Sequence, residues 1–214
     1  ADVHVGEPVV RWRSDAQSVE VETASGRYSA DRVAIAAGAW ATELLPELAL
    51  PLSVERQVMH WFAPRAERAR FGPDQCPVSM VEYAPERILY TLPDSGEGFK
   101  AATHHEGESA DPNAVRRDVA PAEVEQVRAL LRQFFPLANG ELLASATCLY
   151  TNTPDRDFLI DFHPDNSRVL IVSPCSGHGF KFASAIGEAV AELLVLGRST
   201  ADLTPFGLQR FAGR

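Results

Sequence analysis

The feature that most constrains this chain lies near its end, where a strand-like stretch at 168–172 runs into Ser176-Gly177-His178-Gly179 and then into an apolar segment at 180–196. That order predicts a buried strand, a glycine loop and a helix. Glycines at such a junction let backbone N–H groups face a ligand, and the helix N-terminus adds partial positive charge, so an anion or an electron-rich ring edge is the natural guest. Lys181 falls in the first turn, where a cation opposes the helix dipole. Either an anionic partner holds it there, or it is an outward-pointing side chain on a tight turn.

The preceding residues alternate between strand-like and helical patterns. Segments 8–13, 18–23 and 26–28, separated by Ser14-Asp15 and Ser25-Gly26, read as a short β-meander. The apolar run 33–40 predicts a strand buried on both faces, with a short helix following near 40–46; the small residues at 36–39 let backbone or ligand approach closely. Strand-like segments recur at 52–62, 77–83, 87–93 and 98–104 before a polar loop at 105–120. A helix is predicted over 121–134, from the stripe of Val124, Val127, Leu130, Leu131 and Phe134, and a strand over 142–150 after the Asn139-Gly140 turn. The fold class is therefore mixed α/β. No GxGxxG follows an early strand, so a self-sufficient dinucleotide-binding domain is not visible.

A net charge of -9 and a pI near 5.1 argue against nucleic acid or an anionic membrane as partner. No run of about 18 apolar residues suggests a membrane span, and a soluble, cytoplasmic protein is expected. Cys76, Cys148 and Cys175 stand far apart, so neither a disulfide framework nor a zinc site is signalled; His104-His105 lacks metal-ligand spacing, and no metal is expected. Strand alternation puts Cys148 and Tyr150 on one face, where a thiol and a phenol line the same surface and a nearby cation such as Lys181 would favour the thiolate. The plainer alternative is a core cysteine beside a half-buried tyrosine. Lys100 and His104 share a strand face by their even separation, and His105 is expected to face away.

Three stretches together resemble the monomeric sarcosine oxidase and N-methyltryptophan oxidase family: Cys148-Leu149-Tyr150-Thr151-Asn152-Thr153-Pro154-Asp155, Ile160-Asp161-Phe162-His163-Pro164, and Ser176-Gly177-His178-Gly179-Phe180-Lys181. The resemblance implies that Cys148 joins the flavin 8α-methyl carbon through sulfur, that Lys181 contacts the substrate carboxylate, that the Gly177 carbonyl faces the substrate amine and that Tyr150 lines the substrate site. Lys100-Ala101-Ala102-Thr103-His104 is similar to the family's KxGxH strand with Ala102 in place of glycine. It implies that Lys100 promotes reaction with oxygen and that His104 lies near substrate. Tyr90 matches another active-site tyrosine, one residue closer to His104 than the family spacing. Ala36-Ala37-Gly38-Ala39-Trp40 resembles the strand and glycine turn beside the cofactor, which adds Gly38 and Trp40 to the cofactor contacts of Ser176, Gly177, His178, Gly179 and Lys181. Arg56-Gln57-Val58 matches the start of the substrate domain.

The implied fold is the C-terminal part of a two-domain FAD-dependent oxidoreductase, with a discontinuous FAD-binding domain (1–50 and 146–214) and an antiparallel-sheet substrate domain (51–145). The family's N-terminal portion with its GxGxxG has no counterpart here. The expected chain is thus a fragment or one piece of a larger assembly, with that portion or another copy as partner. The implied reaction oxidises the secondary amine of an N-methyl amino acid to an imine, with dioxygen leaving as hydrogen peroxide. The alternatives are a flavin dehydrogenase or amadoriase-like relative, and a non-catalytic module without its cofactor.

Overall fold

The computed structural model describes residues 1–212, which form two compact units: Ala1–Ser53 with the chain from Thr151 on, and Val54–Tyr150. In the first unit, β1 (Val9–Ser14), β2 (Val19–Thr23) and β3 (Arg27–Ala30) form an antiparallel meander. Its first turn is tied by Asp15 Oδ1, which accepts the N–H groups of Gln17 and Ser18, as an Asp in a turn does by mimicking a backbone acceptor. β4 is only Val33–Ile35, shorter than the apolar run suggests. Pairing ends at Ile35, Ala37 leaves the extended region at ψ 4°, and Gly38 at φ +53° starts a 3-10 turn at Gly38–Trp40, followed by α1 (Ala41–Leu44) and Pro46.

The second unit contains β5 (Ser53–Phe62), β6 (Ser79–Ala84), β7 (Arg87–Leu92), β8 (Phe99–His104), β9 (Glu108–Ser109), α2 (Pro121–Phe134) and β10 (Leu142–Asn152). The strands form one sheet in the order β10-β5-β8-β7-β6, with β9 also on β5. Ala120 offers no capping oxygen at the start of α2; instead Glu123 accepts the Ala120 N–H at 2.7 Å, and Pro121 occupies a position where no donor is needed. Val127 and Leu131 of α2 bury against Phe62, Leu89, Phe99 and Ala101, each large side chain stabilising by about 1.5–3 kcal/mol. Because strand side chains alternate, this covered face leaves Tyr90, Lys100 and His104 on the opposite one.

The first unit is completed by β11 (Leu159–His163), β12 (Asn166–Ser173) and α3 (Ala183–Leu196). β11 and β12 pair antiparallel, and β12 runs parallel to β4, with Leu170 opposite Ala34. Leu159, Val169 and Ile171 join Val19, Ile35, Leu45 and Leu50 in its core. The helix expected from residue 180 begins at Ala183, preceded by a 3-10 turn at Phe180–Phe182, and Gly197 at φ +72° closes it. No helix among the described residues is long and apolar enough to cross a membrane.

Candidate active site

In the first unit, the parallel pairing of β4 and β12 brings the segments that follow both strands to one sheet edge, the carboxyl edge at which open α/β sheets hold ligands. One segment carries Gly38, around whose missing Cβ there is nothing within 4 Å, and half-exposed Trp40. The other carries Ser176 and Gly177 in consecutive left-handed conformations, φ 50° and 76°. Buried Ser176 fixes this loop: its N–H donates to Thr151 O at 2.9 Å and its hydroxyl to Asp157 O at 3.1 Å. A Cβ on Gly179 would fall 1.5 Å from Pro174 O, so only glycine fits. The His178 ring stacks on Phe158 at 4.8 Å and donates from Nε2 to Arg156 O at 2.9 Å. Lys181 lies in the 3-10 turn ahead of α3, where Nζ donates to His178 O at 3.0 Å and sits over the Phe182 ring. A neutral carbonyl therefore holds this cation; among the described residues no carboxylate forms an ion pair with it.

The second unit gathers Tyr90, Lys100, His104, Cys148 and Tyr150. Register places Tyr90 opposite Ala102, between the β7 residues that pair with Lys100 and His104, and its ring meets His104 edge-on at 6.2 Å. Tyr150 OH hydrogen-bonds His104 Nδ1 at 3.2 Å. Lys100 Nζ lies 5.1 Å from the Trp61 ring centre, a cation–π contact that anchors the ammonium. His105 departs from expectation. The strand ends at His104, and φ +58° at His105 turns its ring back beside His104 (4.1 Å between centres) and Tyr150 (5.3 Å), where alternation alone would have turned it away.

The charges of this face act on one another. Burial pushes the Tyr90 hydroxyl up to about 12, and the Cys148 thiolate would push the same way. Burial, with Tyr90 and Cys148, raises Tyr150 further still. Both tyrosines thus remain protonated donors at neutral pH. Burial also pushes the Cys148 thiol up, and Lys100 of the same unit opposes this shift. Burial outweighs the pull of Lys100, so the thiol is raised overall.

Sequence reasoning gave no structural role to two neighbouring charged groups, buried Arg56 and part-buried Glu55. Arg56 is 2% exposed and donates to Arg116 O, Asp118 O and Glu123 Oε1 at 2.6–2.8 Å, tying the 105–120 loop to α2. Glu55 accepts from Gln57 Nε2 and Gly107 N, each at 2.6 Å. Both residues lie in β5, a stretch whose periodicity signals only a strand; the signal available was a charged residue at an inward strand position. The residues fit an FAD. The first unit offers a carboxyl edge with open space at Gly38 and a left-handed pair at Ser176-Gly177, and the second offers a half-buried thiol with a cation and phenol donors around it.

A family model described as DAO, FAD dependent oxidoreductase, matches residues 1–193. The chain is 40% identical over 199 residues to a monomeric sarcosine oxidase of Bacillus sp. (strain B-0618), covering 90% of this chain and 50% of that protein. It is 35% identical over 206 residues to an N-methyl-L-tryptophan oxidase of Yersinia pestis (strain Pestoides F), covering 95% and 54%. The chain thus spans about half the length of the curated relatives it matches. Among solved structures, it is similar to the open form of NikD, an unusual amino acid oxidase (TM-score 0.77, 21% identity, 94% of this chain and 54% of that one). It is also similar to glycine oxidase from Geobacillus kaustophilus (TM-score 0.72, 23% identity, 95% and 52%). These likenesses extend the shared fold across both units, and with the family match over residues 1–193 they lead to one conclusion: the chain belongs to the FAD dependent oxidoreductase family.

Proposed function

We propose that this chain carries much of the substrate site and part of the FAD site of an oxidase. Its substrate is the secondary amine of an N-methyl amino acid such as sarcosine, its products an imine and hydrogen peroxide. The observation that carries this reading is the convergence of Lys100, His104, Tyr90, Tyr150 and Cys148 on one sheet face, opposite the one that α2 covers. It is supported by the similarity to relatives named for oxidising sarcosine and N-methyl-L-tryptophan.

Bound FAD supplies the redox chemistry, taking two electrons from the amine and passing them to dioxygen. The chain's own residues position and polarise. Tyr90 and Tyr150, kept protonated by burial, donate hydrogen bonds to an anionic or electron-rich substrate group. His104 Nδ1 sets the direction of the Tyr150 hydroxyl. Lys100, fixed over Trp61, holds positive charge where negative charge develops on oxygen. Cys148 is the sulfur for covalent attachment of the flavin. In the other unit, Lys181 serves the substrate carboxylate, the Gly177 carbonyl the amine, and Gly38, Trp40, Ser176, His178 and Gly179 the cofactor. Substrate leaves as an imine, which water hydrolyses.

The test is the flavin-loaded protein mixed with sarcosine. Bleaching of the flavin's visible absorption without air, and peroxide formed in step with amine loss under air, are expected. Bleaching without peroxide would move the assignment to a dehydrogenase, and no bleaching by any N-methyl amino acid would overturn it.

A further inference from the structure

We propose that His105, held by Glu55, is a positioning residue for Tyr150 and His104, and that this pair sets how the tyrosine face responds to pH. The inference rests on the reading of that face as the reaction face. His105 is a non-glycine residue in the left-handed region, a conformation that persists only where the surroundings fix it. Here they do. Its side chain is 6% exposed, its ring packs on His104 and Tyr150, and Nδ1 lies 3.8 Å from Glu55 Oε2.

Glu55 is held just as firmly. Its other oxygen accepts from Gln57 Nε2 and Gly107 N–H, two neutral donors that fix the carboxylate without cancelling its charge. Gly107 is pressed so closely onto β5 that a Cβ there would lie 1.9 Å from Arg56 O, so the loop carrying His105 has little freedom to withdraw.

His105 meets Glu55 from β5, His104 from β8 and Tyr150 from β10; the charged and titratable groups next to these partners are Tyr90, Cys148 and Lys100, and neighbouring Glu106 is engaged by Tyr83 and Arg87. A protonated His105 neutralises Glu55 and presses its ring against Tyr150. A neutral His105 leaves a net negative charge beside the phenol that is to donate to substrate. Binding of a carboxylate-bearing amine therefore weakens as His105 loses its proton.

Two substitutions in the flavin-loaded protein separate charge from shape. His105→Asn keeps a residue that tolerates the left-handed turn but removes the titrating ring. Glu55→Gln keeps an acceptor for Gln57 and Gly107 but removes the charge. We expect KM for sarcosine to rise at least about tenfold in both, with kcat within about threefold of the parent. The pH dependence of KM should vanish in His105→Asn and move down by at least about one pH unit in Glu55→Gln. Histidine-ring NMR of the same protein should show the His105 titration moving down in Glu55→Gln. Wild-type KM and pH profile in both variants would overturn the inference. If the parent does not turn over sarcosine, the functional reading fails by itself, and the NMR still decides: a His105 titration unchanged by Glu55→Gln overturns the pairing.

Discussion

Replacing Arg56 by Met removes the guanidinium on which the 105–120 loop and α2 converge. In the native arrangement Arg56 makes three charge-assisted bonds, one to the carboxylate of Glu123 and two to the carbonyls of Arg116 and Asp118. Breaking a buried pair costs about 3–5 kcal/mol. The lower end applies here, because Arg116 also reaches Glu123 and water can reach the carbonyls of the exposed residues Arg116 and Asp118. A loss of about 3 kcal/mol corresponds to a melting temperature lower by about 6–12 °C in a chain of this size. Glu123 gives the same node a pH signature. Burial alone would raise its pKa, but the bonds from Arg116, Arg56 and the Ala120 N–H outweigh burial and hold it at about 2. A carboxyl depressed on folding stabilises above its unfolded pKa and loses that contribution as pH falls through the folded value. The stability gap between the parent and Glu123→Gln should therefore close as pH drops from the ordinary carboxylate range towards 2. Urea denaturation followed by tryptophan fluorescence measures both effects. A loss below about 1 kcal/mol for Arg56→Met, or a Glu123→Gln gap that persists at low pH, would refute the reasoning.

Other consequences are equally direct. Gly179→Ala should cost at least about 3 kcal/mol or prevent folding, because its Cβ would collide with Pro174 O; circular dichroism melting near the parent's would contradict the close approach. In the flavin-free chain Cys148 should alkylate slowly at neutral pH, its thiol being raised by burial, and Lys100→Met should slow it further; mass-monitored iodoacetamide kinetics with no change in that variant would remove Lys100 from the cysteine's surroundings. In the flavin-loaded protein, Lys100→Met should slow peroxide formation by at least about tenfold while leaving anaerobic flavin reduction near its parent rate. Equal slowing of both steps in stopped-flow would show that the lysine acts elsewhere.

Much of the architecture is readable where periodicity is long. The α2 stripe and its bounds follow from Val124, Val127 and Leu131, and the mixed α/β class follows from the sequence of patterns. Short apolar runs were harder to read. The stretch 33–40 suggests a long buried strand, yet only Val33–Ile35 pair, because the chain turns at Ala37 (ψ 4°) into the left-handed Gly38. β11 is hidden inside a motif, since Leu159–His163 forms a strand only through its hairpin with β12. Site geometry is less legible. Alternation turns His105 away from His104, and a single positive φ reverses that. Dipole reasoning leaves Lys181 either with an anion or on a tight turn, and it lies in a 3-10 turn ahead of α3 with Nζ on the His178 carbonyl, which no local pattern shows. The Glu55 and Arg56 networks involve partners about 50–70 residues away in sequence, which no local pattern encodes.

The most direct test of the account is the mass of the Cys148 peptide from the flavin-loaded protein after denaturation and proteolysis. The account predicts that this peptide carries the mass of FAD joined through sulfur and that Cys148→Ser yields no peptide-bound flavin. An unmodified Cys148 peptide alongside fully released FAD would contradict the placement of Cys148 at the flavin.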